Sequence, residues 1–270
     1  MYEELVNLMM ARSYSEKTIS NYLTALKAFE KFSGKTVKDA SVDEIISFLA
    51  SLTPQSRYMY AIAIRSVLKM LGRQDYTAIK IPKSKPRRYV IIPEEDVAKI
   101  CYELYPSKPK LAVAIALTYE LALRLSELCN LRLSDLDLNT WTATVERIKS
   151  RRVYRLPIVS DWVKQLLIKY VSTHPRHTDY LIYSQKRPYR YRVPVMSKLI
   201  SSVLKEYGYD AKPHDLRHSR ATNLLKRGLD VRVLQIFLGH ASIAQTERYT
   251  HLTEVDLRKM IETLYKQQVL

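Results

Sequence analysis

The stretch Lys212–Leu252, KPHDLRHSRATNLLKRGLDVRVLQIFLGHASIAQTERYTHL, decides how the rest of the chain is read. It predicts three short helices. The first spans about His214 to Arg227 and stops at Gly228, a residue favoured just past a helix end. The second starts near Asp230, and the third near Ser242 as N-cap. On the first helix His214, Arg217, His218 and Ala221 fall at i, i+3, i+4 and i+7, which is one face. Two imidazoles and a guanidinium on one face do not suit a core. Leu238-Gly239-His240 then adds another imidazole, and Tyr249 follows nine residues later. Gathered in one pocket, these groups offer donors for a phosphate and a phenol to attack it.

Each part alone has an ordinary explanation. A lone histidine is usually a satisfied core or surface residue, and the chain has 20 tyrosines. His214 and His218 at i, i+4 match the spacing of a zinc helix, but the glutamate base of that motif is missing and Arg217 lies between the two ligands. No metal is therefore expected. The combination H-x-x-R-H, L-G-H and Tyr-Thr-His is far more specific. It resembles the C-terminal motifs of the tyrosine recombinase (integrase) family, with His214, Arg217, His240 and the nucleophile Tyr249 in matching positions. The resemblance implies a mainly α fold with a small antiparallel β element (α+β), made of a helical core-binding domain and a catalytic domain. It covers nearly the whole chain, and the short N-terminal part together with YTHL is most similar to the Xer type.

Length and composition agree with a polyanion-binding protein. At 270 residues the chain is long enough for two domains with real cores. A net charge of +17 points to nucleic acid, with an anionic membrane surface as the rival. Cys101 and Cys129 form neither a disulfide framework nor a metal spacing, and they read as buried thiols of a cytoplasmic protein. The longest apolar run, Leu111 to Leu123, is broken by Glu120 and too short to span a bilayer. The first residues lack the layout of a signal peptide. Five glycines and eleven prolines describe a stiff chain.

In chain order, residues 1–76 form the first predicted domain. Ser15, Ser41 and Thr53-Pro54 are helix starts, and Gly34 and Gly72 are stops. The chain is expected to open on this domain, without a further arm-binding domain. Arg57, Arg65 and Lys69 flank the apolar stripe of the last helix. They read either as a solvated face or, as the resemblance implies, as DNA contacts. Residues 77–92 are expected to be a proline-stiffened basic linker. Its Lys83, Lys85, Arg87 and Arg88 suit DNA wrapped between two domains, or simply a surface connector.

The catalytic domain is expected over 93–270. Arg124 sits at the end of the apolar run and needs an anion. Glu127 supplies one, so a structural ion pair is one reading. The segment ALRLSEL resembles the family motif G-L-R-x-S-E-L, with Ala122 in place of the glycine, and this resemblance makes Arg124 catalytic and Glu127 its support. Thr140–Lys149 and Arg152–Val159 carry strand signals around a basic turn. A family lysine in this hairpin matches Lys149 best, although Arg147, Arg151 and Arg152 crowd the position. RPYRYRVP interleaves arginine with tyrosine, as nucleic-acid surfaces do. A last helix, Thr253 to Gln267, has too few apolar residues for a deep core position and suits a shallow groove, on its own subunit or on a neighbour.

Arg124 and Arg217 can offer bidentate donors to a phosphodiester. His214 can take the proton of Tyr249, Lys149 can protonate the leaving 5′ oxygen, and His240 can bond a non-bridging oxygen. Energy kept in a phosphotyrosine lets strands be rejoined without ATP, metal or other cofactor. The expected partner is double-stranded DNA with a specific recombination site. The expected assembly is a homo-oligomer, a dimer without DNA and a tetramer on two sites. Within the family a viral or plasmid integrase is the alternative. A type IB topoisomerase, a silent DNA-binding protein and a metallohydrolase are the readings outside it.

Overall fold

The structure, a computed structural model, describes residues 2–82, 89–147, 152–175, 178–184, 190–239 and 254–266. The chain divides into two compact units, residues 1–87 and 88–270.

The first unit is helical: α1 (Tyr2–Ala11), α2 (Glu16–Ser33), α3 (Val42–Ser51) and α4 (Pro54–Met70), followed by a 3-10 turn at Gln74–Ala78. Local sequence sets the helix ends. The Ser15 hydroxyl accepts from the Thr18 N–H, Gly34 takes the left-handed conformation (φ 71°) that closes α2, and Ser41 with Glu44 forms a reciprocal capping box. Ile19, Leu26 and Phe29 of α2, Ile45 and Phe48 of α3, and Ile64, Val67 and Leu68 of α4 share one core. Ile79 is fully buried in the same core. The first domain therefore extends past residue 76, and the expected linker loses its first residues.

The second unit starts earlier than expected. Ile92 is buried, and its N–H donates to the Ser219 hydroxyl at 2.9 Å. The helices are α5 (Glu94–Leu104), α6 (Pro109–Glu120), α7 (Leu125–Asn130), α8 (Asp161–Ser172), α9 (Val193–Glu206), α10 (Pro213–Lys226), α11 (Val231–Leu238) and α12 (Glu254–Lys266). Every residue of α6 from Leu111 to Glu120 is buried, so it is the central helix that its apolar run predicted. Strands β1 (Leu136–Asp137), β2 (Thr142–Arg147) and β3 (Arg152–Pro157) make an antiparallel sheet in that order, with Arg147 paired to Arg152 across the hairpin. The hairpin is as predicted, while the short β1 was not. Cys101 and Cys129 are buried free thiols. Among the described residues no helix is long and apolar enough to cross a membrane.

The last helix departs from expectation. Leu257 and Ile261 of α12 are buried in the unit's own core, Ile261 completely. Spacing of four puts both on one face, so few apolar residues suffice. Near its end the Tyr265 hydroxyl donates to the Glu94 carboxylate at 3.0 Å, lies 3.2 Å from the Ser160 hydroxyl, and accepts from Arg220. Arg220, fully buried, also pairs with Glu120 at 2.9 Å. Glu120 in turn accepts the Val159 and Ser160 N–H groups ahead of α8.

Candidate active site

Three elements converge on one carboxylate. Arg124 is the N-cap of α7, and three residues on Glu127 reaches back to accept the Arg124 N–H at 2.8 Å, as a helix start favours. The same carboxylate accepts the Arg124 guanidinium at 2.8 Å and the Arg147 guanidinium at 2.6 Å. The other terminal nitrogen of Arg147, Nη2, donates to the Phe237 carbonyl at 2.7 Å. Arg217, on α10, donates to the Leu238 carbonyl at 2.7 Å and to the Ala122 carbonyl. Two guanidiniums thus satisfy carbonyls at the end of α11, the negative pole of that helix.

The backbone is shaped to allow this. Ala122 has φ 46°, in the left-handed region, which turns its carbonyl to Arg217. That conformation explains why the family motif has a glycine at this position. Gly239 closes α11 at φ 66°, and a Cβ there would lie 2.9 Å from Arg147 Cγ. Glycine is thus required at 239 for conformation and for space, directly before His240.

The electrostatics are unbalanced toward cation. Arg124, Arg147 and Arg217 face one carboxylate among the described residues. Burial pushes the Glu127 carboxyl up, but the Arg147 charge and the hydrogen bonds from both arginines outweigh it and hold it below the usual carboxylate range. Burial, with the Arg147 and Arg124 charges, pulls Arg217 down to about 9. A guanidinium does not lose its proton in a protein. The shift therefore marks positive charge that an incoming anion would neutralise. Arg124 keeps 22% of its side chain exposed, so the cluster is open on one side.

On α10 the Asp215 carboxylate accepts the Lys212 N–H, and Pro213 occupies the first turn. His214 is exposed, one turn before buried Arg217. His218 packs edge-on against His214 with centroids 4.6 Å apart, and Tyr89 lies over His218 at 3.6 Å.

Arg124, Glu127, His214 and Arg217 are therefore placed on adjoining elements, as the motifs predicted. Lys149, His240 and Tyr249 lie outside the described residues, as do Lys83, Lys85, Arg87 and Arg88. The Arg57 guanidinium donates to the carbonyls of Leu49, Ala50 and Leu52 and so closes the end of α3. Arg65 and Lys69 flank the Tyr76 ring, and Arg65 also donates to the Ile79 carbonyl. Arg147 and Tyr89 were missed. The only signal for Arg147 was an arginine at an inward position of an alternating strand; for Tyr89 there was none.

A cluster of arginines on one carboxylate, beside a histidine and set in a helical domain with a three-stranded sheet, suits an anionic group such as a phosphate. Residues 92–255 match the phage integrase family, and residues 1–73 match the N-terminal SAM-like domain of phage integrases. The chain is similar to the tyrosine recombinase XerA of Pyrococcus furiosus, 30% identical over 274 residues, which cover 96% of this chain and 92% of that one. A crystal structure of XerA recombinase shares 27% identity at a TM-score of 0.51, over 99% of this chain and 97% of its own. A λ integrase (75–356) dimer on a COC′ core site aligns at a TM-score of 0.73 with 22% identity, over 89% and 94%, which shows the same fold. The chain belongs to the phage integrase family, as a tyrosine recombinase of the Xer type. It is a site-specific DNA recombinase, a strand transferase that works through a covalent tyrosine intermediate without metal or ATP.

Proposed function

We propose that the chain cuts and rejoins double-stranded DNA at a specific recombination site through a 3′-phosphotyrosine on Tyr249, and that it resolves chromosome dimers. The observation that carries this reading is the surplus of guanidinium around Glu127, with Arg217 pulled down by burial and by the Arg147 and Arg124 charges. Arg124 and Arg217 bind the scissile phosphate and the charge that builds on it. Each such preorganised donor contributes on the order of 3–4 kcal/mol. His214 takes the Tyr249 proton, Lys149 protonates the departing 5′ oxygen, and His240 donates to a non-bridging oxygen. Glu127 holds the arginines in place. Solved relatives include a λ integrase tetramer on a Holliday junction, which supports a homotetramer on two sites here.

The test is a suicide substrate, a nicked duplex that traps covalent protein. The parent should form the adduct at Tyr249, and Tyr249→Phe should bind the duplex equally well with no adduct. An adduct on another residue, Tyr265 for example, would overturn the assignment. Recombination between two copies of a site beside the replication terminus, lost on deleting the gene, would support the chromosomal role; activity confined to a mobile element's ends would replace it with an integrase role.

A further inference from the structure

The catalytic unit contains a cavity lined by none of the residues assigned to strand transfer. Its volume is about 370 Å³, within the range of small-molecule sites, roughly 300–1,000 Å³. It opens at the first turn of α6, while Arg124 follows the opposite end of that 12-residue helix. At 1.5 Å per residue the two places are about 18 Å apart along the axis. Lys108, Lys110, Tyr170, His174, Tyr183 and Tyr191 line it, together with apolar Met196 and Leu199, and among the described residues no carboxylate lines it.

Lys110 is the anomaly. Its Nζ is buried and has no hydrogen-bond partner among the described residues. It lies 4.2 Å from the Tyr183 ring centroid, close enough for the ring face to attract it. A buried ammonium that has only a ring face has given up more hydration than it regains. Burial accordingly pulls its pKa down. The positive pole of α6 and the Lys108 ammonium add to the same field. Burial pushes the Tyr191 phenol up, and Tyr183 close by adds to the shift, so Tyr191 stays protonated and presents a donor. The cavity therefore combines cations, O–H groups and flat aromatic walls over an apolar floor.

We infer that this cavity binds a nucleotide, with its phosphate at Lys110 and the α6 N-terminus and its base against the tyrosine rings. A bare inorganic anion would satisfy Lys110 but leave the aromatic walls and exposed Leu199 facing water. The nucleotide has two sources: a free mononucleotide, or one displaced from the stack of a bound duplex. The site stands apart from the strand-transfer cluster and does not depend on the roles assigned there.

Equilibrium dialysis of the full chain with dAMP, deoxyadenosine and inorganic phosphate tests the first source. dAMP should bind about ten-fold or more tightly than either fragment, and Lys110→Met should weaken it by about ten-fold or more, the effect of one lost charge-assisted hydrogen bond. Adduct formation on the suicide substrate should be unchanged in that variant, which also shows that it is folded. For the second source, the parent should prefer a duplex with a bulged 2-aminopurine over the fully paired duplex, and Lys110→Met should lose the preference. Should Lys110→Met not fold, Tyr191→Leu should weaken dAMP and leave phosphate binding as it was. The inference fails if phosphate binds as well as dAMP, or if neither dAMP nor the bulged duplex separates parent from variant.

Discussion

Arg147 is the residue on which the site's geometry turns, since one guanidinium ties Glu127 to the end of α11. Arg147→Met leaves the Phe237 carbonyl unsatisfied, at a cost of about 1–3 kcal/mol, and frees the backbone ahead of His240. Adduct formation should fall by an order of magnitude or more with DNA affinity kept, whereas an equal loss of both would make Arg147 merely structural. Glu127→Gln removes the ion-pair partner of Arg124 and Arg147. Removing one partner of a buried pair costs about 3–5 kcal/mol. The Glu127 carboxyl lies below its ordinary 4.5 in the folded state, so its contribution is complete above that value and is lost as pH falls through the folded one. Acid titration of stability should show this loss in the parent and lack it in Glu127→Gln. Ala122→Gly should add up to about 1 kcal/mol in thermal unfolding by relieving a left-handed alanine. Arg124, His214 and Arg217 were legible because each sits in a local motif. Arg147 was not, because its partners lie 20 and 90 residues away in sequence.

At the level of elements, helix starts were legible wherever the cap is a local side chain, as at Ser15, Ser41 and Thr53. Strand β1, two residues long, carries no periodicity of its own and exists only through pairing with β2. Docking of α12 on its own unit was one of the two expected arrangements, but its depth was misread because its burial rests on two apolar residues, with Tyr265 fastened by polar partners on α5, α10 and the residue ahead of α8. Tyr265→Phe should raise amide exchange in 254–266 while α6 stays protected; unchanged exchange would show that Leu257 and Ile261 suffice. Deleting residues after about Leu252 should spare binding to a single site and impair cooperative assembly and recombination. Full recombination by the truncated chain would remove α12 from that coupling.

For the whole molecule, charge governs the encounter with DNA. A net +17 spread over two units predicts an affinity that falls with a log–log salt slope near −0.9 per phosphate contacted. A flat response between low and moderate salt would assign the charge to something other than DNA. Chelators should leave adduct formation unchanged. The division into two units was legible from proline and charge between them, but its edges were not. Ile79 and Ile92 are single apolar residues in polar surroundings, and only the finished cores show which unit each one fills.

The Glu94 cluster has a consequence for how the protein is made. Glu94 stands in the first turn of the second unit, and the tyrosine that completes its ring of partners comes 171 residues later. A nascent chain emerging from the ribosome can build α6 and the hairpin early, yet Arg220 and Arg227 wait beside Glu94 and Glu120 without their phenol until the last helix is out. Final consolidation of the catalytic unit therefore waits until α12 has left the ribosome. A ribosome stalled before residue 265 would hold a unit whose arginine-cluster scaffold is present but whose closing bond is not.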